Sequence, residues 1–423
     1  MFDRKPLSVG ILTFPLLNKV TIAAFGVLGG LALLLLVWCR WRPLSTKGRL
    51  LTFLPAALVG LSGWILIDQT WRPFADPVGR FVWVMASCVV FAATLTLARP
   101  KGARQGTLFS RAAKMLRDLI ALLLVMTGAL VAVNAKFGAY QNLNRLFSLD
   151  AKAQPLAQAK AQVDASKGAL AETQIPGTKS GFKARNALVY LPPGYSDDDS
   201  PAPLLVLLAG QPGNPQDWVS GGGLVETMDG YAAKHRGKMP VVVVADQLGS
   251  PVANPLCSDA LLGNAATYLQ QDVVEWAKAN LNVSDDPARW AIGGVSNGAT
   301  CALQVVTRRP DLFHTFLSFS GEPEPSLGDR NRTLNEGFGD LANFQQNNPK
   351  DLMAKNSYPQ IAGIFTAGDD DEKYGPPTTQ LAQAARNAGM NVELRNYPGG
   401  HSWALWNHAL SDQIDWLCDR LNT

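Results

Sequence analysis

Four long apolar stretches occupy the first third of the chain, at 20–38, 50–67, 81–98 and 119–135. Each has about the 17–25 residues that a helix needs to cross the hydrocarbon core of a bilayer, and none contains a charged side chain. A cleavable signal peptide could explain only the first stretch, and no small-residue cleavage site follows it. The pattern therefore predicts an all-α transmembrane region of four helices within residues 1–140.

The pattern changes to short apolar runs that alternate with amphipathic segments from about residue 183. The runs 204–208 and 241–245 are wholly apolar, as expected of buried parallel strands. Helix-like segments follow at 268–281, 379–388 and 404–421. Strands that alternate with helices indicate an α/β fold with a mostly parallel sheet, formed by one domain over 183–423. Residues 141–182 are rich in Ala, Gln and Lys and are predicted to be a partly helical, solvated stalk.

The segment Gly294-Val295-Ser296-Asn297-Gly298 lies between an apolar run and a helix-like stretch. A G-x-S-x-G pentapeptide in that context is the nucleophile elbow of α/β-hydrolases, in which a tight turn lifts the serine hydroxyl above the sheet. By itself the pentapeptide is only moderately specific. The flanking strand and helix make Ser296 the candidate nucleophile, and the sheet of 183–423 a candidate α/β-hydrolase fold.

A serine nucleophile needs a base and an orienting acid, which follow in the order Ser, Asp/Glu, His in this fold. His401 lies in a loop directly after a strand-like run and is the predicted base; His235, His314 and His408 are read as solvated or structural. Four carboxylates follow the strand-like run 361–368, and spacing alone does not choose among them: Asp369, Asp370, Asp371 and Glu372.

The oxyanion hole requires two backbone N–H donors. One is predicted from Asn297, the residue after the nucleophile. The other is predicted from Gln211, in the loop after the early strand. Trp218, Trp403 and Trp406 are candidates to line an apolar acyl pocket, with core packing as the alternative for Trp406. Asp246 ends the apolar run 241–245 and is predicted to lie at the substrate edge.

The stretch from about residue 183 to 420 resembles the putative-esterase family, which includes esterase D, feruloyl esterases and the antigen 85 mycolyltransferases. The matching segments are Val189-Tyr190-Leu191-Pro192-Pro193-Gly194-Tyr195, the Ala209-Gly210 loop, the Ser296 elbow, Gly368-x-x-Asp371 and Gly399-Gly400-His401-Ser402-Trp403. In similar proteins the acid sits three residues after such a glycine, which favours Asp371, and the early loop carries the second oxyanion amide. The resemblance does not extend to the substrate-contacting residues of antigen 85 around the first loop, so mycolyl transfer is not implied.

Five cysteines are present, and two of them lie near the candidate elbow. Cys257 is in a loop and Cys301 is one turn into the helix after Ser296, so an oxidising setting would permit a disulfide between them; two buried free thiols are the alternative. No spacing of Cys and His residues suggests a metal site, and no cofactor is expected.

Basic residues in the loops predict the orientation of the four spans. Ten lie in the loops after the first and third spans, against five on the opposite side. The first and third loops are therefore predicted to be cytoplasmic, and the domain at 183–423 extracytoplasmic. The formal net charge of +4 comes largely from these flanking residues, so it indicates contact with membrane lipids rather than nucleic acid.

The sequence thus predicts a multi-pass membrane protein with a serine esterase or acyltransferase domain. Ser296, His401 and Asp371 would form its triad, acting on an ester. The neighbouring membrane region suggests a lipid or cell-envelope ester as the substrate. Hydrolysis and acyl transfer are not separated by any residue. A membrane scaffold or sensor with a non-catalytic hydrolase-like domain is the alternative.

Overall fold

A computed structural model describes residues 12–98, 107–147 and 152–422. The chain divides into two compact units, Met1–Leu146 and Phe147–Thr423, referred to below as the helix unit and the sheet unit. Five of the basic residues that underlie the predicted orientation lie outside the described residues: Arg4, Lys5, Arg99, Lys101 and Arg104.

The helix unit contains the four predicted helices. They are α1 (Lys19–Leu36), α2 (Thr46–Gly63), α3 (Arg80–Leu97) and α4 (Leu108–Phe137), with π-helical extensions of α1 over Val37–Trp41 and of α2 over Trp64–Trp71. Side chains of Asn18, Ser45 and Thr107 accept hydrogen bonds from the first turns of α1, α2 and α4, which satisfies N–H groups that a helix start leaves unpaired. All four helices are long and apolar enough to cross a membrane.

Glycines bring α1 and α4 together. A Cβ on Gly128 would lie 2.8 Å from the backbone oxygen of Phe25, and a Cβ on Gly29 would lie 3.1 Å from that of Leu124. Close backbone approach through small residues is the usual way in which membrane helices pack. Asp68, in the extension of α2, accepts hydrogen bonds from the backbone N–H groups of Val78 and Gly79, immediately before α3.

The sheet unit is built on a nine-stranded sheet with the order β1-β2-β3-β5-β4-β8-β9-β10-β11. Strands β3, β4, β5, β8, β9, β10 and β11 span Ala187–Leu191, Leu204–Leu208, Val241–Ala245, Trp290–Val295, Thr315–Phe319, Ala362–Gly368 and Asn391–Tyr397. From β5 to β11 every neighbouring pair is parallel, and only β2–β3 and β3–β5 are antiparallel. The mostly parallel α/β sheet expected from the sequence is confirmed.

Successive side chains of the central strands point to opposite faces of this sheet and are apolar on both faces. Two buried apolar clusters therefore cover the two faces. The longer helices of the unit are Leu224–Ala232, Val273–Asn280, Asn297–Arg308, Gly375–Asn387 and Trp403–Arg420, with shorter ones at Leu156–Ala161, Asp217–Ser220, Leu341–Asn347 and Pro349–Lys355. A separate two-stranded hairpin is formed by β6 (Asp259–Ala260) and β7 (Gly263–Asn264).

The predicted stalk at 141–182 is wrong for most of its length. Strands β1 (Gln154–Pro155) and β2 (Ala169–Thr173) belong to the main sheet, and Ala159, Ala171 and Ile175 are fully buried in its core. Small alanines at a sheet edge give little hydrophobic periodicity, so the segment resembles a solvated linker in sequence. The sheet unit therefore begins well before residue 183.

Candidate active site

The turn after β8 holds Ser296 in a strained backbone conformation, with φ 53° and ψ −120°. A Cβ on Gly294 would lie 2.3 Å from the carbonyl carbon of Gly298, and a Cβ on Gly298 would lie 2.4 Å from the oxygen of Leu208. Only glycine fits at both positions, which explains their spacing around the serine. The N–H of Ser296 donates to the carbonyl of Phe319 at 2.8 Å and so fixes the turn to the next strand.

His401 lies within hydrogen-bonding distance of both Ser296 and Asp371. Its Nε2 is 3.0 Å from Ser296 Oγ, and its Nδ1 is 3.0 Å from Asp371 Oδ2. The loops that carry His401 and Asp371 meet because β10 and β11 pair in register up to Gly368 and Tyr397. The structure therefore brings together the three side chains that the sequence singled out, although they are 105 and 30 positions apart.

The Asp371 carboxyl, in its ionised form, is placed to orient the imidazole of His401. Burial alone would raise the pKa of its carboxyl. Hydrogen bonds from His401 and from the backbone N–H groups of Tyr374 and Lys373 outweigh burial and hold that pKa below its usual value. The other three carboxylates of this loop, Asp369, Asp370 and Glu372, are exposed.

Two aromatic rings pack against the imidazole of His401. Tyr374 stacks on it with ring centroids 4.3 Å apart, and Trp406 meets it edge-on at 4.8 Å. Trp406 is in turn held by a hydrogen bond from its Nε1 to Ser320 Oγ. No sequence motif points to Tyr374, because its stacking on the imidazole depends on the turn that follows Asp371.

The two candidate oxyanion donors lie beside Ser296. Asn297 is the first residue of the helix Asn297–Arg308, where N–H groups lack intrahelical partners. A Cβ on Gly210 would lie 3.5 Å from Ser296 Cβ, so the loop that contains Gln211 passes close to the nucleophile. The side chain of Asn297 donates to Asn254 Oδ1 at 3.3 Å.

A disulfide joins Cys257 to Cys301, the pair that the sequence singled out, with Cα atoms 5.4 Å apart. It fastens the loop before β6 to the helix that begins next to Ser296. Gln304, one turn further along this helix, donates to the carbonyl of Leu256 at 3.0 Å. The loop is therefore held to the helix at two successive residues.

Two predicted substrate-contacting residues are structural instead. Trp218 has no exposed surface, and its Nε1 donates to the carbonyl of Leu208 at 3.0 Å. Asp246 is buried in a two-pronged ion pair with Arg185, whose Nε and Nη2 donate to its two carboxylate oxygens at 3.0 and 2.7 Å. Neither side chain presents a free group to a ligand.

Trp403 is half-buried and packs on Trp218 and Trp406. It therefore stays a predicted pocket residue.

Glu322 is a buried carboxyl near the site that the sequence did not single out. Burial raises its pKa to about 8, and its Oε2 has no hydrogen-bond partner among the residues that the structure describes. Its backbone N–H donates to Thr300 Oγ1, in the first turn of the helix after Ser296. Burial raises the pKa of the Tyr374 phenol, and the charges of Glu322 and Asp371 raise it further.

Comparison with known proteins assigns the sheet unit to a family. A family model described as putative esterase matches residues 182–417. An uncharacterised protein of Corynebacterium glutamicum is 33% identical over 398 residues, which cover 90% of each chain. The iron(III) enterobactin esterase of Dickeya dadantii is 27% identical over 232 residues, or 53% of this chain and 49% of that one.

Solved structures agree on the fold. A ferulic acid esterase matches with a TM-score of 0.52 and 20% identity, over 60% of this chain and 99% of its own. An S-formylglutathione hydrolase from Agrobacterium tumefaciens matches with a TM-score of 0.51 and 17% identity, over 61% and 97%. Both confirm the α/β-hydrolase fold. The family model, which matches more than half of the chain, shows that the chain belongs to the putative esterase family.

Proposed function

We propose that the protein is a membrane-anchored serine esterase or acyltransferase in which Ser296, His401 and Asp371 act as the triad. The observation that carries this proposal is the chain of two 3.0 Å contacts from Ser296 Oγ through the imidazole to Asp371. A strained elbow that presents the serine at the carboxyl edge of a parallel sheet supports it. Membership of the esterase family supports ester chemistry in general.

The geometry suits acyl transfer through a covalent intermediate. Ser296 Oγ attacks the ester carbonyl carbon while His401 Nε2 takes the hydroxyl proton. Collapse of the tetrahedral intermediate breaks the bond to the alcohol oxygen, which receives that proton from the imidazolium. Water or an acceptor alcohol then attacks the acyl-serine with the same base, which releases the acid or the new ester. Asp371, kept ionised by its hydrogen bonds, stabilises the imidazolium in both halves.

The oxyanion of each tetrahedral intermediate would be held by the backbone N–H groups of Gln211 and Asn297. The closeness of Gly210 to Ser296 and the position of Asn297 at a helix start support this assignment. The alternative, a membrane scaffold or sensor with a non-catalytic hydrolase-like domain, is disfavoured by the Ser296–His401–Asp371 geometry, which binding alone does not require.

Labelling with a fluorophosphonate probe tests the proposal. The full chain should be labelled, and Ser296→Ala should not be, because the probe phosphonylates an activated serine only. Asp370→Asn, an exposed neighbour of the acid, is the matched control and should label like the parent chain. A parent chain that resists the probe would support the scaffold alternative, whereas an alanine variant that still reacts would assign the nucleophile to another residue.

We also propose that the four apolar helices span a membrane and that the sheet unit faces outward. The ten-to-five distribution of basic loop residues supports this orientation. Reporter fusions after Thr423 should be active outside the cytoplasm, and fusions within residues 99–117 should be active inside it. The reverse result would place the sheet unit, and its ester substrate, in the cytoplasm.

A further inference from the structure

Four large apolar side chains are exposed in the sheet unit among the described residues 152–422. They are Val252, Leu261, Leu262 and Leu341, with exposed fractions of 44%, 65%, 45% and 49%. Water-facing domains normally scatter such side chains. Here they come from one loop, the tip of the β6–β7 hairpin and the start of a short helix.

Direct contacts gather these segments into one surface. The N–H of Leu261 donates to the carbonyl of Gly337 at 3.2 Å, and a Cβ on Gly339 would lie 3.7 Å from Leu261 Cδ1. Leu341 begins the helix two residues later. The hairpin tip and the start of that helix are therefore neighbours.

The loop that carries Val252 joins the same surface through Phe182. A Cβ on Gly249 would lie 3.3 Å from the Phe182 ring, and a Cβ on Gly263, next to Leu262, would lie 3.7 Å from it. The name apolar patch is used below for Val252, Leu261, Leu262 and Leu341.

The apolar patch has a rigid base. Leu256, Leu327, Phe338 and Phe344 form a small buried cluster of their own beneath it. The Cys257–Cys301 disulfide fastens the intervening loop to the helix that begins beside Ser296. The loop that leads into the patch is therefore linked to the helix that begins at the candidate active site.

We propose that the apolar patch docks on the surface of the lipid bilayer and delivers membrane-embedded esters to Ser296. This inference rests on the proposed function and names its substrate class, esters whose acyl chains lie in the membrane. A contiguous exposed apolar surface marks a membrane or protein contact, and shallow insertion of leucines is a common way to bind an interface.

The chain itself favours the bilayer as the occupant. Four helices long and apolar enough to span a membrane precede the sheet unit. The sheet unit follows the helix unit directly in the chain, from Phe147 onward. Asp259 and Asp340 border the patch and are exposed, so a zwitterionic surface suits it better than a strongly anionic one.

The test uses the full chain reconstituted in phosphatidylcholine vesicles. Hydrolysis of p-nitrophenyl palmitate embedded in the vesicles is compared with hydrolysis of soluble p-nitrophenyl acetate. The double variant Leu261→Glu/Leu262→Glu should lose at least about tenfold on the embedded ester and stay within about twofold on the soluble one, because charged side chains resist insertion. Gln380→Glu/Gln383→Glu, which adds the same charges at exposed positions on another helix, should change neither rate.

A second variant and a readout that is independent of catalysis test the same proposal. Leu341→Glu, on a separate segment, should show the same selective loss. A photo-crosslinking residue at position 262 should form adducts with vesicle phosphatidylcholine, and one at position 383 should not; this readout does not depend on catalysis.

Unchanged hydrolysis of the embedded ester, or an equal loss of both rates, would overturn the proposal. So would a parent chain that is dimeric and becomes monomeric in the double variant, since the patch would then bind a second copy. If the parent chain hydrolyses neither ester and resists the fluorophosphonate probe, the proposed function fails. The lipid adducts at position 262 would still report docking in that case.

Discussion

The helix unit and the sheet unit differ in where they place their large apolar side chains. In the helix unit many large apolar side chains face outward, as Leu97, Leu108 and Leu130 do with exposed fractions of 79%, 84% and 68%, although Leu36 and Leu95 are buried. The close contact between α1 and α4 is made by Gly29 and Gly128. In the sheet unit the strand Val241–Ala245 is fully buried at every position, and glycine is needed mainly at turns such as the one around Ser296.

With the helix unit in the membrane, as proposed above, the difference follows from the solvent that surrounds each unit. Lipid is as apolar as leucine, so a large side chain gains nothing by leaving it, and helices associate through close backbone contact. Water drives large side chains inward, so the sheet unit is held by their burial. The apolar patch is the one place among residues 152–422 where the sheet unit exposes large apolar side chains as the helix unit does.

The largest contrast between the units should appear in catalysis, which depends on single side-chain atoms of the sheet unit. Ser296→Ala and His401→Ala should each lower kcat for p-nitrophenyl acetate by at least about 10³-fold, and the double variant should be little worse than either, since triad members act as a unit. Leu130→Ala, at a lipid-facing position of α4, should leave kcat unchanged. Near-parent turnover in Ser296→Ala with intact folding would refute the mechanism.

Among the four carboxylates at 369–372, only Asp371 should lower kcat strongly when it is substituted. Asp371→Asn should lower kcat by about 10²- to 10⁴-fold, because the amide no longer stabilises the imidazolium or enforces its tautomer. Asp369→Asn, Asp370→Asn and Glu372→Gln alter exposed side chains and should cost less than about threefold. Kinetics of all four variants under one condition decide the matter: a larger loss at another position transfers the role to it.

Local signals were enough to predict the elbow and the loops at the strand ends. The G-x-S-x-G turn, the glycine before Asp371 and the position of His401 after a strand are each encoded within a few residues. The choice of Asp371 over its neighbours came from the family resemblance, since spacing left four carboxylates open. The bounds of the four long apolar helices were predicted to within a few residues, except that α4 begins eleven positions before the apolar stretch, at Leu108.

The structural features that the sequence did not reveal depend on contacts between residues that are distant along the chain. Asp246 resembles a substrate-edge acid until Arg185, 61 positions away, is seen to occupy both of its oxygens. Trp218 has the same sequence context whether it lines a pocket or packs beneath Trp403. Strands β1 and β2 are small-residue edge strands, and only their pairing with β3 and each other identifies them.

Buried carboxyl groups offer a second way to separate the units. In the helix unit Asp68 is satisfied by two backbone N–H groups and by Trp83 Nε1, whereas Glu322 Oε2 in the sheet unit has no partner among the described residues. Because folding raises the pKa of Glu322 from 4.5 to about 8, its contribution to stability is full below pH 4.5 and is lost as the pH rises through about 8.

Glu322→Gln removes this ionisation and should flatten part of the pH dependence of stability. Between pH 5 and pH 9 the parent chain should lose on the order of 3 kcal/mol relative to the variant, seen as a melting midpoint of the sheet unit that falls more steeply with pH. Glu372→Gln, an exposed carboxylate nearby, is the control and should track the parent. Parallel curves for the parent and Glu322→Gln would mean that Glu322 ionises normally in the folded protein.

The smallest expected effect tests the comparison between the two units most directly. We expect that enlarging a glycine destabilises the helix unit more than truncating a leucine does, the reverse of the usual result in a water-soluble core. Gly128→Leu should destabilise the helix unit by about 1–3 kcal/mol, since a Cβ there already meets the Phe25 oxygen at 2.8 Å. Leu130→Ala, two positions along the same helix and 68% exposed, should change stability by no more than about 0.5 kcal/mol, although the same change in a water-soluble core costs about 2–5 kcal/mol.

The measurement for this pair is the thermal loss of helical circular dichroism in detergent, with fluorophosphonate labelling of Ser296 at room temperature as a check on the sheet unit. Labelling should be equal in both variants, because the sheet unit has its own core. If Leu130→Ala were the more destabilising change, large side chains would hold the helix unit together as they do the sheet unit. The two units would then not differ in what stabilises them.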